Sequence, residues 1–320
     1  MSFCAPENYK EFYNIIYRKC LTFIQLGYWD NLTKKQLDTW LSNFCEADEK
    51  YLAALILNKL IYRNEASILS MFSNLFYIEV PKYLKSKNVY TVNDLDYFRT
   101  KLYKSQENFF QIANFRFSTI STGDLGESGH LYIRYLREHF ICNTLIVDIS
   151  SEKKPTPDDE QYKFENILPC IKTIIFIDDF IGSGEQIKEF ILDNKEKLEL
   201  FDNIVFMPLV AHQKGIDNVL EYSKELLLNI EVRPIEIMTY ENSSFYLHEK
   251  GDTLFDGENT IDDLRTFYKD LVESKDFDIS SEYGFGDLGL MHIFSTGVPD
   301  NNLPIIYKTN EAWHALKEKR

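Results

Sequence analysis

No run of about 18 or more apolar residues occurs in the 320-residue chain, so no membrane-spanning helix is expected. The opening stretch, Met1-Ser2-Phe3-Cys4-Ala5-Pro6-Glu7-Asn8, lacks a basic start and an apolar core, so no secretory signal is expected there. Cysteine is sparse: Cys4, Cys20, Cys45, Cys142 and Cys170 are widely scattered, odd in number and without a CxxC pair. That excludes a disulfide framework and predicts reduced thiols in a cytoplasmic protein. His130, His139, His212, His248, His292 and His314 are equally scattered and supply no zinc ligand set. Positive charge is short as well, with 35 Lys and Arg against 50 Asp and Glu, a net charge of −15. Such a surface repels phosphate backbones and anionic lipid, so autonomous nucleic-acid binding and a membrane partner are not expected.

What the chain has is apolar bulk. A hydrophobic content of 44% can supply a core, and the 24 Phe and 20 Tyr are expected mostly in core and interface positions. Residues 1–110 read as a helical N-terminal region. Thr33-Lys34-Lys35-Gln36 is a capping-box pattern. Leu37, Trp40, Leu41 and Phe44 then recur at helical spacing, as do Leu52, Leu55, Ile56 and Leu60, and Ile68, Met71, Phe72 and Leu75. Pro81 is expected to end or redirect the last of these helices.

From about residue 115 short apolar runs alternate with amphipathic stretches. Candidate strands are 117–120, 144–149, 173–178, 203–209 and 230–238, and helical patterns cover 129–141, 185–198 and 215–228. Strand–helix alternation predicts an α/β domain over 111–320 with a mostly parallel sheet and a C-terminal extension. Residues 151–163 and 241–262 read as surface excursions, and 299–307 as an extended, proline-held apolar segment.

The most informative stretch is Ile174-Ile175-Phe176-Ile177-Asp178-Asp179-Phe180-Ile181-Gly182-Ser183-Gly184-Glu185-Gln186. Four large apolar residues read as a strand buried on both faces, followed by two carboxylates and a small-residue turn that opens a helix. The first N–H groups of a helix are unpaired, and glycines let successive N–H groups converge on one anion. Asp178 and Asp179 can accept hydrogen bonds from vicinal hydroxyls, directly or through Mg2+, which prefers oxygen ligands. In open α/β sheets ligands sit at the carboxyl ends of strands, where this motif falls. A Walker B strand would need an upstream G-x-x-x-x-G-K-[ST], and none exists. A dinucleotide fingerprint would need a third glycine where Ile187 stands. No elbow motif surrounds a Ser or Cys nucleophile. A second glycine cluster, Gly123 to His130, precedes an amphipathic helix and reads either as an anion loop or as a tight, capped turn. His212 follows a candidate strand and is more simply a satisfied histidine than a site residue. Asp287, Asn301 and Asn302 read first as turn and cap residues.

The central segment resembles the phosphoribosyl-diphosphate (PRPP) motif of the type I phosphoribosyltransferases: apolar strand, two acids, two apolar residues, phosphate loop. The resemblance implies that Asp178 and Asp179 position the ribose hydroxyls and Mg2+, directly or indirectly. It implies that Gly182, Ser183, Gly184, Glu185 and Gln186 cradle the 5′-phosphate. It also makes Glu127, Ser128, Gly129 and His130 candidates for the diphosphate loop. Phe180, Gly182 and Gln186 depart from the common pattern, and Gly182 stands where many transferases carry an acid that assists chemistry at the base. Residues 127–129, 177–184 and 299–304, in that order, are similar to a narrower group of bacterial phosphoribosyltransferase-like proteins of conflict systems, some encoded with retron-type reverse transcriptases. That resemblance implies a type I phosphoribosyltransferase-like core and a defence-system partner protein. The activity it implies is glycosidic-bond chemistry on PRPP or a related ribose phosphate in antiphage defence. The alternative is a non-catalytic subunit that senses PRPP or a nucleotide.

Overall fold

The computed structural model describes residues 3–104, 113–120, 128–149, 171–243, 256–275, 277, 279 and 281–319, with backbone alone at 128–133. The chain forms two compact units, Met1–Ile68 with Thr239–Arg320, and Leu69–Met238.

In the first unit the chain starts with α1 (Tyr9–Gln25), α2 (Lys34–Leu41), α3 (Ala47–Lys59) and the short β1 (Ile61–Arg63). The Thr33–Gln36 capping box is present: Gln36 N–H donates to Thr33 Oγ1 at 3.2 Å and Thr33 N–H to Gln36 Oε1 at 2.9 Å. The expected apolar face is buried, with Leu37, Trp40, Leu41 and Phe44 each at most 6% exposed. The C-terminal part of the chain returns to this core with α11 (Ile261–Glu273), β7 (His292–Phe294) and α12 (Pro304–Tyr307). β1 and β7 pair in parallel, Ile61 opposite His292. The two buried indoles, Trp40 and Trp313, both donate to Ile305 O, at 2.7 and 3.1 Å. The expected extended segment at 299–307 is instead a turn that leads into α12. Pro304 sits in its first turn, where a missing N–H costs nothing.

The second unit begins inside α4 (Glu65–Asn74). Pro81 does not end this helical run. A π-helical turn, Leu75–Glu79, widens the helix ahead of it, and Pro81 falls in the first turn of α5 (Val80–Ser86). After α6 (Leu95–Tyr103) come β2 (Phe115–Thr119) and α7 (Ser128–His139). Then follow β3 (Thr173–Ile181), α8 (Glu185–Asp193) and α9 (Lys195–Leu198). The unit closes with β4 (Asn203–His212), α10 (Gln213–Glu225), β5 (Ile230–Val232) and β6 (Glu236–Met238). The second unit starts at Leu69. Its physical basis is aromatic packing: the Phe76 ring meets Phe117 of β2 at 5.5 Å and Phe140 at 5.1 Å.

The expected α/β class is the observed one. The sheet runs β2-β3-β4-β5, every pairing is parallel, and β6 pairs with β4 beside β5. Phe176 of β3 stacks on Phe206 of β4 at 4.8 Å and meets Phe190 of α8 edge-on at 5.1 Å, which seats the helix on the sheet.

Three strand expectations change. The stretch 144–149 is not a strand. A 3-10 turn, Asn143–Leu145, leaves only an isolated bridge between Phe117 and Ile146. The stretch 230–238 is one edge interrupted in the middle. Ile235 N–H donates to Pro208 O at 3.1 Å, so Pro208 turns its carbonyl to that edge and has no N–H to offer beside it. Pro234 lacks one too, and the ladder breaks into β5 and β6. Finally, β3 does not stop at Asp178 but runs through the acid pair to Ile181. The stretch 151–163 lies outside the described residues.

Candidate functional site

The motif lies where parallel-sheet geometry puts it, at the carboxyl end of the central strand β3, between β2 and β4. Asp178 stands opposite Pro208, and pairing continues to Ile181 opposite Ala211. Successive strand side chains leave opposite faces of a sheet, so the two acids do not point the same way. Asp178 is buried at 6% exposure and Asp179 is half-buried. Asp178 Oδ1 accepts the Asp179 N–H at 2.9 Å, which fixes the first carboxylate against the strand backbone.

Beyond Ile181 the backbone turns through Gly182, Ser183 and Gly184, all buried, into α8. Gly184 is the N-cap of α8 and adopts φ +87°, the left-handed region that glycine tolerates. It also lacks room: a methyl there would lie 2.8 Å from Gly215 O and 3.2 Å from Val219 Cγ2. The carbonyls of this turn face α10. Asn218 Nδ2 donates to Ser183 O at 2.9 Å, and Gly182 O abuts the backbone at Gly215. In a trans peptide the N–H opposes the C=O, so the N–H groups of Ser183 and Gly184 point away from α10. Among the described residues neither donates a hydrogen bond. Two adjacent buried donors beside the first turn of a helix are the kind of group an anion can satisfy. Glu185 and Gln186 occupy that first turn. Glu185 pairs with Lys188 at 3.3 Å, and Gln186 is exposed.

Ser128, Gly129 and His130 form the first turn of α7, which follows β2 and packs against β3. Glu127 lies outside the described residues. His212, the last residue of β4, is fully buried and caps α10 by accepting the Lys214 N–H at Nδ1, 3.2 Å away. The neutral ring therefore carries its proton on Nε2. Burial, aided by Lys214, pushes its pKa down to about 4. It is a buried core histidine that caps a helix. Asp287, Asn301 and Asn302 make local bonds in the other unit. Asp287 accepts from Ser281, Asn301 donates to Phe285 O, and Asn302 bridges His292 N–H and Pro299 O.

Sequence reasoning missed Gly215 and Asn218. The one available signal was a glycine just inside a helix that follows a strand, a costly position unless something packs close to it.

Among the described residues no cluster of three His, Cys, Asp or Glu side chains could hold a metal ion. The donor set at the motif is the pair Asp178 and Asp179. It fits Mg2+ only in the manner of a site that bound phosphate and water oxygens complete, and not as a protein cage.

A parallel α/β sheet with an acid pair and a glycine turn at its central strand is consistent with a phosphoribosyltransferase-like core. The comparison with families agrees: the PRTase-CE family model matches residues 37–319, and the chain belongs to that family. The family implies a small-molecule substrate. No curated protein and no solved structure matches the chain. No helix among the described residues is long and apolar enough to cross a membrane.

Proposed function

We propose that the protein binds PRPP or a related ribose phosphate with Mg2+ and makes or breaks a glycosidic bond at the ribose anomeric carbon. The observation that carries this reading is the pair of buried N–H groups at Ser183 and Gly184, without a partner among the described residues and four to six residues past Asp178 and Asp179. In this reading the N–H groups and the first turn of α8 hold the 5′-phosphate. The two carboxylates, on opposite faces of β3, serve the ribose hydroxyls directly or through Mg2+, which there would neutralise the diphosphate leaving group. Their negative charge favours the oxocarbenium-like character of the sugar as the bond from anomeric carbon to leaving oxygen breaks. With PRPP the electron pair leaves with diphosphate, and a nucleophile forms the new bond on the opposite side. The phosphate anchor holds the sugar for that displacement. The first turn of α7, with Ser128, Gly129 and His130, is assigned to the diphosphate together with Glu127, which precedes it in sequence. The setting is cytoplasmic antiphage defence with a partner protein of the same system.

The test is the double variant Asp178→Asn, Asp179→Asn. Asparagine keeps an acceptor for the Asp179 N–H, so the fold survives. Diphosphate release from PRPP, followed across nucleobases and nucleotides, should be abolished. A folded double variant that retains activity would falsify the assignment.

A second reading has its own support. Position 182 carries no acid, and its carbonyl is packed on Gly215. A protein that senses PRPP or a nucleotide without turnover needs no acid there. Binding with no diphosphate release on any acceptor would favour this sensor.

A further inference from the structure

The carbonyls of the glycine turn meet one face of α10. Gly215 and Asn218 are three residues apart on that helix and therefore neighbours on its surface. Asn218 Nδ2 donates to Ser183 O at 2.9 Å. A methyl on Gly215 would stand 2.2 Å from Gly182 O and 3.0 Å from Ile181 Cγ2, so only glycine lets the turn sit this close. Holding the two carbonyls also holds the two N–H groups that oppose them.

We infer that α10 is the template of the anion site and that Asn218 and Gly215 are positioning residues for the Ser183 and Gly184 N–H groups. This rests on the ribose-phosphate reading and adds to it the residues that keep the pocket formed before ligand arrives. Without the Asn218 donor, the Ser183–Gly184 peptide loses the bond that opposes its rotation. A ligand must then order that plane on binding, a cost it otherwise avoids.

The experiment compares wild type with Asn218→Asp, which has the same shape but no donor and sets a carboxylate against Ser183 O. Calorimetry with ribose 5-phosphate as probe should show an affinity loss of about tenfold or more, the scale of one hydrogen bond. Asn218→Gln, which keeps an amide donor, should recover part of that loss. The thermal midpoint of both variants should stay near that of wild type. In wild type, the backbone amide resonances of Ser183 and Gly184 should move when the probe is added.

Wild type binding the probe while Asn218→Asp binds equally well overturns the positioning role alone. Wild type failing to bind ribose 5-phosphate overturns the reading of the site and this proposal together. If Asn218→Asp does not fold, the wild-type titration decides: amides of Ser183 and Gly184 that stay still while the probe binds overturn the proposal.

Discussion

Two histidines set a residue-scale pH dependence that is separate from the site. His212 is held down to about 4 by burial and Lys214, and His292 to about 3 by burial and Arg63. Both values lie below that of a histidine in an unfolded chain, so the unfolded state binds protons that the folded state refuses. Their stabilisation is therefore complete above about pH 6.5 and is lost as pH falls towards 4, by a few kcal/mol in total on the linkage relation. Urea midpoints measured from pH 7 to 4.5 should drop accordingly. His212→Asn keeps a cap acceptor for the Lys214 N–H and should flatten the slope. An unchanged slope would mean that His212 titrates normally. At this scale the placement of the motif was legible: Asp178 and Asp179 lie towards the carboxyl end of a buried strand, and Gly182, Ser183 and Gly184 form the turn before a helix. Asn218 and Gly215 were not legible, because parallel pairing of β3 with β4 is what brings a helix more than thirty residues on to the turn.

Elements differ in how clearly the sequence shows their limits. The start of α2 was plain, because a capping box is local chemistry. Thr33→Ala removes the acceptor for the Gln36 N–H and should cost about 1 kcal/mol, read from a urea titration. No shift in midpoint would mean that the box is idle. Strand ends were less plain, because pairing and not composition decides them. Asp179, Phe180 and Ile181 continue β3 past Asp178, since β4 still offers partners as far as Ala211. The stretch at 144–149 looks like a strand by composition yet makes only an isolated bridge to β2, Ile146 opposite Phe117. Pro208 sits in a central strand because its neighbouring edge is broken at the same level, a match no single segment displays.

At the scale of the molecule, the parallel α/β class followed from alternation, and the family match agrees with it. The grouping of segments did not follow from it. The C-terminal segment joins the core of α1–α3, with Trp313 and Trp40 sharing one carbonyl, while Phe76 packs on the sheet layer. Such long-range pairing leaves no periodic trace in sequence. The central claim is that the β3 motif is a ribose-phosphate site. Calorimetry of the wild-type chain with PRPP in the presence of Mg2+ tests it most directly. The account predicts saturable binding to one site per chain, weakened when Mg2+ is chelated. A chain that is folded by circular dichroism yet shows no binding of PRPP at millimolar concentration, with or without Mg2+, would contradict it.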